Sequence, residues 1–373
     1  MEALHAAAFV AIAACLEGCA LGRTILHNSA DLDDHRIFAN RTVQAPARAS
    51  PLRRAPDAGL AALVVPGPGG RPSTLSEYLE GNRMAAFVVL RGDTLVLEHY
   101  GRGFDERSLF NSLSIAKAIV GTLAGVAVQE GRLALDDTVG RHRPELAATP
   151  YGTVTVRELI TMTSGVGDAP SWLPGRAQYY YGGDLHDAVA RASSAEAGRR
   201  WRYSEGDIQA LGFVLEAATG RHLSDYLSDT IWKPLGMEAP ALWSLDREDG
   251  MEKAFCCVSA RARDFARFGR LYLDGGLSGG ARVLHATVAH RETVHGVPTG
   301  DGYVHQQLWW TPPGSGGDFY AYGHNGQYLY VNPAARTVIV QFSAAGFREP
   351  TEVFRVVAAA VSGARTETAG LTR

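Results

Sequence analysis

The chain has 373 residues, 46% of them hydrophobic and 20% charged, which supplies a large core and excludes a disordered or fibrous protein. Its 36 basic and 39 acidic residues leave a formal net charge of -3, so no overall field gathers nucleic acid or anionic lipid, and polyanion binding is not expected. Four cysteines are too few for a disulfide framework.

In chain order, Ala6 to Cys15 is an apolar run followed by Leu16-Glu17-Gly18-Cys19. It is too short to span a bilayer. It resembles the lipobox of a bacterial export signal, which predicts cleavage before Cys19, lipidation of its thiol and an exported, membrane-attached protein. Against this, Met1 to His5 carries no Lys or Arg, whereas such signals open on positive charge. Residues 20–75 are rich in Pro, Ala, Gly and Arg without a sustained period and predict an extended lead-in. Two β-rich runs, Ala85 to Leu90 and Thr94 to Tyr100, flank Arg91-Gly92-Asp93 and predict a hairpin. Ser114 to Gly131 is apolar almost all round, as a helix buried on most faces would be.

Thr155-Val156-Arg157-Glu158 and Ser204-Glu205-Gly206-Asp207 each match the Ser/Thr-x-x-acid start of a capped helix. The second helix is expected from Glu205 to Thr219, with Gly220 supplying the left-handed stop. Arg261 to Asp274 predicts an amphipathic helix; Tyr328 to Val331 and Thr337 to Phe342 a second hairpin; Thr351 to Val361 a closing helix. Strands near both ends with helices between them predict an α/β (α+β) fold. Its antiparallel sheet, flanked by helices, is assembled from residues 76–140 and 256–363, and an all-helical subdomain is inserted over 141–255. Residues 364–373, small and polar, form a tail expected to fray. Cys256 and Cys257 are expected to be unpaired packing residues, because a bridge between neighbours strains the peptide that joins them.

Chemistry enters at Ser114-Ile115-Ala116-Lys117, where a hydroxyl and an amine three residues apart share one face at the start of a buried helix. A serine hydroxyl needs a base, and a lysine serves as one only when desolvation lowers its pKa. By itself the pattern equally describes a capping serine and a solvated lysine. Trp201-Arg202-Tyr203-Ser204-Glu205 then places a tyrosine just before a helix cap, and Gly323-His324-Asn325-Gly326-Gln327 places polar residues and glycine at the mouth of a strand. Gly276-Leu277-Ser278-Gly279-Gly280 fits the G-x-S-x-G elbow only as letters, since it follows a helix and not a strand. His285, His290 and His295, five apart, spread around a helix and do not form a metal set.

Ser114 to Lys117, Tyr203 to Glu205 and His324 to Gly326, with flanking text such as "TVRELITMTSG" and "SARARDFARFGRLYLDGG", resemble the class C β-lactamase and penicillin-binding family over roughly residues 80–360. The chain looks most similar to its branch of 6-aminohexanoate-dimer hydrolases, amidases and esterases. The resemblance implies a β-lactamase/transpeptidase-like fold and a serine hydrolase without metal or cofactor. Ser114 is the acylated nucleophile, Lys117 its activator and Tyr203 the proton shuttle. The oxyanion is held by the backbone N–H groups of Ser114 and Gln327. Substrate contacts are expected from His324, Asn325, Gly326 and Glu205, and from Trp172, Tyr180 and Tyr181 of an aromatic loop that also holds Tyr179, with Asp184 close by, and to which Trp309 and Trp310 could add. The implied substrate is a small ester, amide or short peptide. Glu205 and His324 stand where many β-lactamases have asparagine and lysine, which favours esters and linear amides over β-lactams. The alternatives are a β-lactamase or D-alanyl-D-alanine carboxypeptidase, or a module that binds without catalysis.

Overall fold

The computed structural model describes residues 20–27, 29–67, 71–169, 175–194, 200–344 and 349–363. The expected signal, with Cys15 and Cys19, lies outside the described residues, as do Trp172 and the tail. Among the described residues no helix is long and apolar enough to cross a membrane.

The centre is a nine-stranded sheet in which the N-terminal hairpin, Met84–Arg91 with Thr94–Tyr100, lies beside the C-terminal hairpin, Gln327–Asn332 with Thr337–Ser343. Strands from opposite ends of the chain meet antiparallel, with Val340 opposite Val88 and Ile339 opposite Val89. These strands read as continuous hydrophobic runs because both faces are covered. Val88, Leu90, Val338 and Val340 belong to the cluster that packs with the helix Ala262–Leu273. The alternate residues Phe87, Val89, Tyr328 and Ile339 belong to the cluster on the other face, with Phe354 and Val357 of the helix Thr351–Ser362. The helix Ala262–Leu273 lies so close to the sheet that a Cβ on Gly269 would meet Val338 Cγ1 at 2.7 Å.

Most sequence expectations hold. The buried helix that follows Ser114 runs Ala116–Gln129, the capping box at Thr155 and Glu158 forms, and the helix Glu205–Thr219 stops at Gly220 with φ 66°. Others are corrected. The sheet is mixed, since the edge strand Arg53–Arg54 runs parallel to Thr94–Leu95. The lead-in is not simply extended: the helix Ala20–His27, the strand Asn40–Val43 and buried Leu32, Phe38 and Val43 tie it to the body. Residues 141–255 are not all helical, because Ala241–Ser244 is a strand between Asn40–Val43 and Val258–Ala260 in a second sheet. His285 and His290 flank a helix of only Ala286–Ala289, so the three histidines do not share one.

Cys256 and Cys257 are buried as expected but are joined to each other as a disulfide. Cys257 takes the left-handed φ of 76°, and the Trp243 indole N–H donates to the Cys256 carbonyl at 3.1 Å. A neighbouring strand thus holds the segment in a conformation that local preference disfavours.

Candidate active site

Ser114 sits where a strand turns into a helix. Phe110–Asn111 pairs with Val258–Ala260, and a single 3-10 turn, Leu113–Ile115, then leads into Ala116–Gln129. Leu113 adopts φ 45°, a conformation costly for a branched side chain. It is held there because its N–H donates to Asn111 Oδ1 at 3.1 Å. Ser112 fastens the turn from below, its Oγ accepting the Val258 N–H at 3.1 Å. Ser114 is therefore presented from a fixed corner with its side chain facing a cleft of about 430 Å³.

One turn on, Lys117 Nζ donates to Ser114 Oγ at 2.8 Å and to the Phe255 carbonyl at 2.8 Å. The side chain is 2% exposed, and burial lowers its pKa to about 8; Glu205 pulls that value up and Arg176 pushes it further down. At neutral pH about a tenth of the amine is then an uncharged base, against a negligible fraction for a solvated lysine. Tyr203 completes the group. Its ring lies under Lys117 Nζ, 4.7 Å from the centroid, and its hydroxyl is hydrogen-bonded with Ser114. Burial holds the phenol above its ordinary pKa, as does Glu205, while the bond to Ser114 works the other way. Trp310 stacks on the Tyr203 ring at 6.1 Å, backed by Trp201 and the buried His305.

The position of Tyr203 is set by the helix after it. Ser204 caps that helix, accepting the Asp207 N–H, and the buried Asp207 Oδ1 accepts from Tyr151, Ser164 and the Ser204 hydroxyl. Its carboxyl group is raised to about 6 by burial, which those three donors partly offset. The third segment is brought up by Gly323, where an added Cβ would come within 2.6 Å of the Ser112 carbonyl.

The expected substrate contacts divide. His324, Glu205, Tyr180 and Tyr181 line the cleft. The His324 imidazole is held below its usual pKa by partial burial and by Arg176. Asn325, Gly326 and Gln327 do not line it. Asn325 turns away at φ 64° to donate to the Ala30 carbonyl at 2.7 Å, and the Gly326 carbonyl accepts from Gln341. Gln327 is fully buried opposite Gly323, with its side-chain oxygen on the Ser343 N–H at 3.0 Å. The third motif sits at a hairpin turn, where Asn325, Gly326 and Gln327 are tied to Ala30, Gln341 and Ser343 while His324 lines the cleft. Tyr179, Tyr180 and Tyr181 of the expected aromatic loop lie in a helix, Gly175–Tyr181, and Tyr179 packs on Phe255 without lining the cleft. Asp184 caps the next helix, accepting the Asp187 N–H at 2.8 Å. Trp310 lines the cleft, whereas Trp309 is wholly buried against Phe268, Tyr272 and Phe319.

Sequence reading missed Arg176, which lines the cleft, and the Phe255 carbonyl that helps to seat Lys117. No pattern marks a backbone oxygen, and an arginine before an aromatic run looks like any exposed cation. Among the described residues Glu216, His222 and Glu252 come together as a metal set would, but Arg41 and Arg143 pair with its two carboxylates.

The chain is similar to several known proteins. The 6-aminohexanoate-dimer hydrolase of Paenarthrobacter ureafaciens is 26% identical over 308 residues, covering 72% of this chain and 74% of that one. Esterase EstB of Burkholderia gladioli is 34% identical over 175 residues, 42% of this chain and 44% of the relative. A solved structure from Bacillus anthracis, assigned as a 6-aminohexanoate-dimer hydrolase, superposes with a TM-score of 0.80 at 27% identity, over 88% of this chain and 92% of that one. The Beta-lactamase family model matches residues 73–362, and the chain belongs to that family.

Proposed function

We propose that this protein is a serine hydrolase that cleaves esters and linear amides through an acyl-enzyme on Ser114. The observation that carries the reading is the Ser114 hydroxyl lying between a buried amine of lowered basicity and a buried phenol. Lys117, when neutral, takes the hydroxyl proton as Oγ bonds to the substrate carbonyl carbon. The tetrahedral oxyanion is met by the Ser114 N–H at the head of the helix, where a fixed dipole in a dry cleft outperforms water. Collapse breaks the bond to the alcohol or amine, which leaves with a proton delivered through Tyr203. Water then adds to the acyl carbon, giving a proton back through the same pair, and the carboxylic acid departs.

The relatives named for ester and amide chemistry support this class of substrate. An imidazole held below its usual pKa stands at His324 in place of the fixed cation of a lysine, and this favours p-nitrophenyl butyrate over nitrocefin. The test is intact-mass measurement after exposure to a fluorophosphonate. A single adduct lost in Ser114→Ala is expected; an unmodified protein with no turnover of any ester or amide would leave a binding module instead. Export with lipidation at Cys19 is part of the proposal, and a palmitate label retained by wild type and lost in Cys19→Ala checks it.

A further inference from the structure

The disulfide between Cys256 and Cys257 has no place in the chemistry above, yet its neighbours on both sides belong to the site. On one side the Phe255 carbonyl accepts from Lys117 Nζ at 2.8 Å, and the Phe255 ring lies 5.7 Å from the same nitrogen. On the other, Val258 donates its N–H to Ser112 Oγ at 3.1 Å and accepts the Ser112 N–H at 2.9 Å, two residues before Ser114. The bridge thus lies in the chain between the seat of the buried amine and the support of the turn that presents the hydroxyl.

The two halves of the bridge differ. Cys257 is wholly buried and takes φ 76°, a backbone state that a residue with a Cβ rarely adopts. Cys256 is 3% exposed and is the half that lines the cleft. From behind, the Trp243 indole holds the Cys256 carbonyl and the Ser244 N–H holds the Cys257 carbonyl, each at 3.1 Å. Bonded sulfurs stand closer together than unbonded ones can, so opening the bridge forces them apart. Cys257 is enclosed by a close-packed interior and has no free space to enter, and the displacement falls on Cys256 and on the peptide before it, which carries the Phe255 carbonyl.

We propose that the Cys256–Cys257 disulfide positions the Lys117 amine through the Phe255 carbonyl, and that a dithiol entering the cleft opens the bridge and reversibly weakens catalysis. The effect on catalysis rests on the serine-hydrolase reading; the positioning of the amine does not. A thiolate of the dithiol attacks the Cys256 sulfur, the bond between the two sulfurs breaks, and the Cys257 thiolate leaves and takes up a proton. The second thiol of the reagent then displaces Cys256 from the mixed disulfide. The dithiol ends as a cyclic disulfide and the protein gains two thiols, by transfer of two electrons and two protons.

The experiment uses the full chain, before and after dithiothreitol. Iodoacetamide labelling is read on the tryptic peptide Ala254 to Arg261, which separates this pair from Cys15 and Cys19; neither cysteine should be labelled before reduction and both after it. The only lysines in the sequence are Lys117, Lys233 and Lys253, so lysine isotopically labelled at Cε gives one NMR resonance for each, assigned with Lys117→Met and Lys253→Met. On reduction the Lys117 titration midpoint is expected to fall by about half a pH unit or more, because an acceptor that favours the ammonium is withdrawn. The exposed Lys233 should not respond. Ester kcat should fall about tenfold, as the base is displaced from its working position, and the alkaline climb of kcat/KM should move down with the Lys117 midpoint. Both should return on reoxidation, and the double variant Cys256→Ser with Cys257→Ser should show the reduced values and ignore dithiothreitol. Labelling of both cysteines before reduction, an unmoved Lys117 midpoint, or an equal response of the double variant to dithiothreitol would each overturn the proposal. A midpoint that moves in a protein with neither ester turnover nor a fluorophosphonate adduct would remove the hydrolase and keep the positioning role; turnover with an unmoved midpoint would do the reverse.

Discussion

Two lysines lie buried in this protein, and their surroundings explain why only one is suited to chemistry. Lys117 is 2% exposed and Lys253 is 0% exposed, and burial lowers both, to about 8 and about 7. Lys117 points at a hydroxyl that opens on the cleft. Lys253 donates to the Tyr180 carbonyl at 2.9 Å and lies 4.6 Å from the centroid of the Phe38 ring. The first can pass a proton to something that reacts. The second meets the carbonyls of Tyr179 and Tyr180 and a ring, so it fastens the helix Gly175–Tyr181 to the body. Depressed basicity marks burial; the partner decides whether a buried amine is a base or a bolt.

Replacing each lysine by a methionine of similar reach tests that distinction most directly. Lys117→Met is expected to lower ester kcat/KM by about a thousandfold or more, the scale on which loss of a nucleophile's base is felt, with the thermal midpoint maintained or raised. Tyr203→Phe comes next, with an expected loss of about a hundredfold or more in kcat, since only the titrating oxygen goes while the ring still stacks on Trp310. Near-normal turnover in either variant would contradict the assigned proton path.

The pH profile sharpens the contrast. In the proposed mechanism the Lys117 amine is the base; with its folded pKa lowered to about 8, its neutral fraction rises with pH, so kcat/KM should climb through that region and level off above it. Tyr203, raised by burial, stays protonated across the climb, and buried His305, lowered to about 3, stays neutral. Lys253→Met should leave the position of the climb where it was; a displaced limb would mean that Lys253 takes part in the proton path. Its expected effect is the smallest, a severalfold rise in KM with kcat nearly unchanged, as the cap helix loses its fastening. Stopped-flow measurement of acylation against release would show whether the loss is in binding.

How far the sequence reaches is visible in the same two places. Ser114 and Lys117 were legible because a spacing of three on a helix fixes two side chains on one face, and the apolar text around them announces burial. Nothing comparable marks Lys253, which stands among Glu252, Ala254 and Phe255 in a segment with no regular period. Its burial depends on Phe38 and on the 179–180 carbonyls, all distant in the chain. The third motif was found, but its orientation was not: which of His324, Asn325, Gly326 and Gln327 faces the cleft depends on how tightly the hairpin closes and on the Ala30 carbonyl.

The amino-acid order alone therefore determined what short-range geometry can encode: the hairpins, the caps at Thr155 and Ser204, the left-handed stop at Gly220 and the hydroxyl–amine pair one helical turn apart. Tertiary structure decided which lysine meets a nucleophile, that a carboxylate and a guanidinium share its cleft, and that neighbouring cysteines join. Those outcomes depend on contacts between segments tens to hundreds of residues apart. Their free energy comes from desolvation and close approach, which no local pattern records.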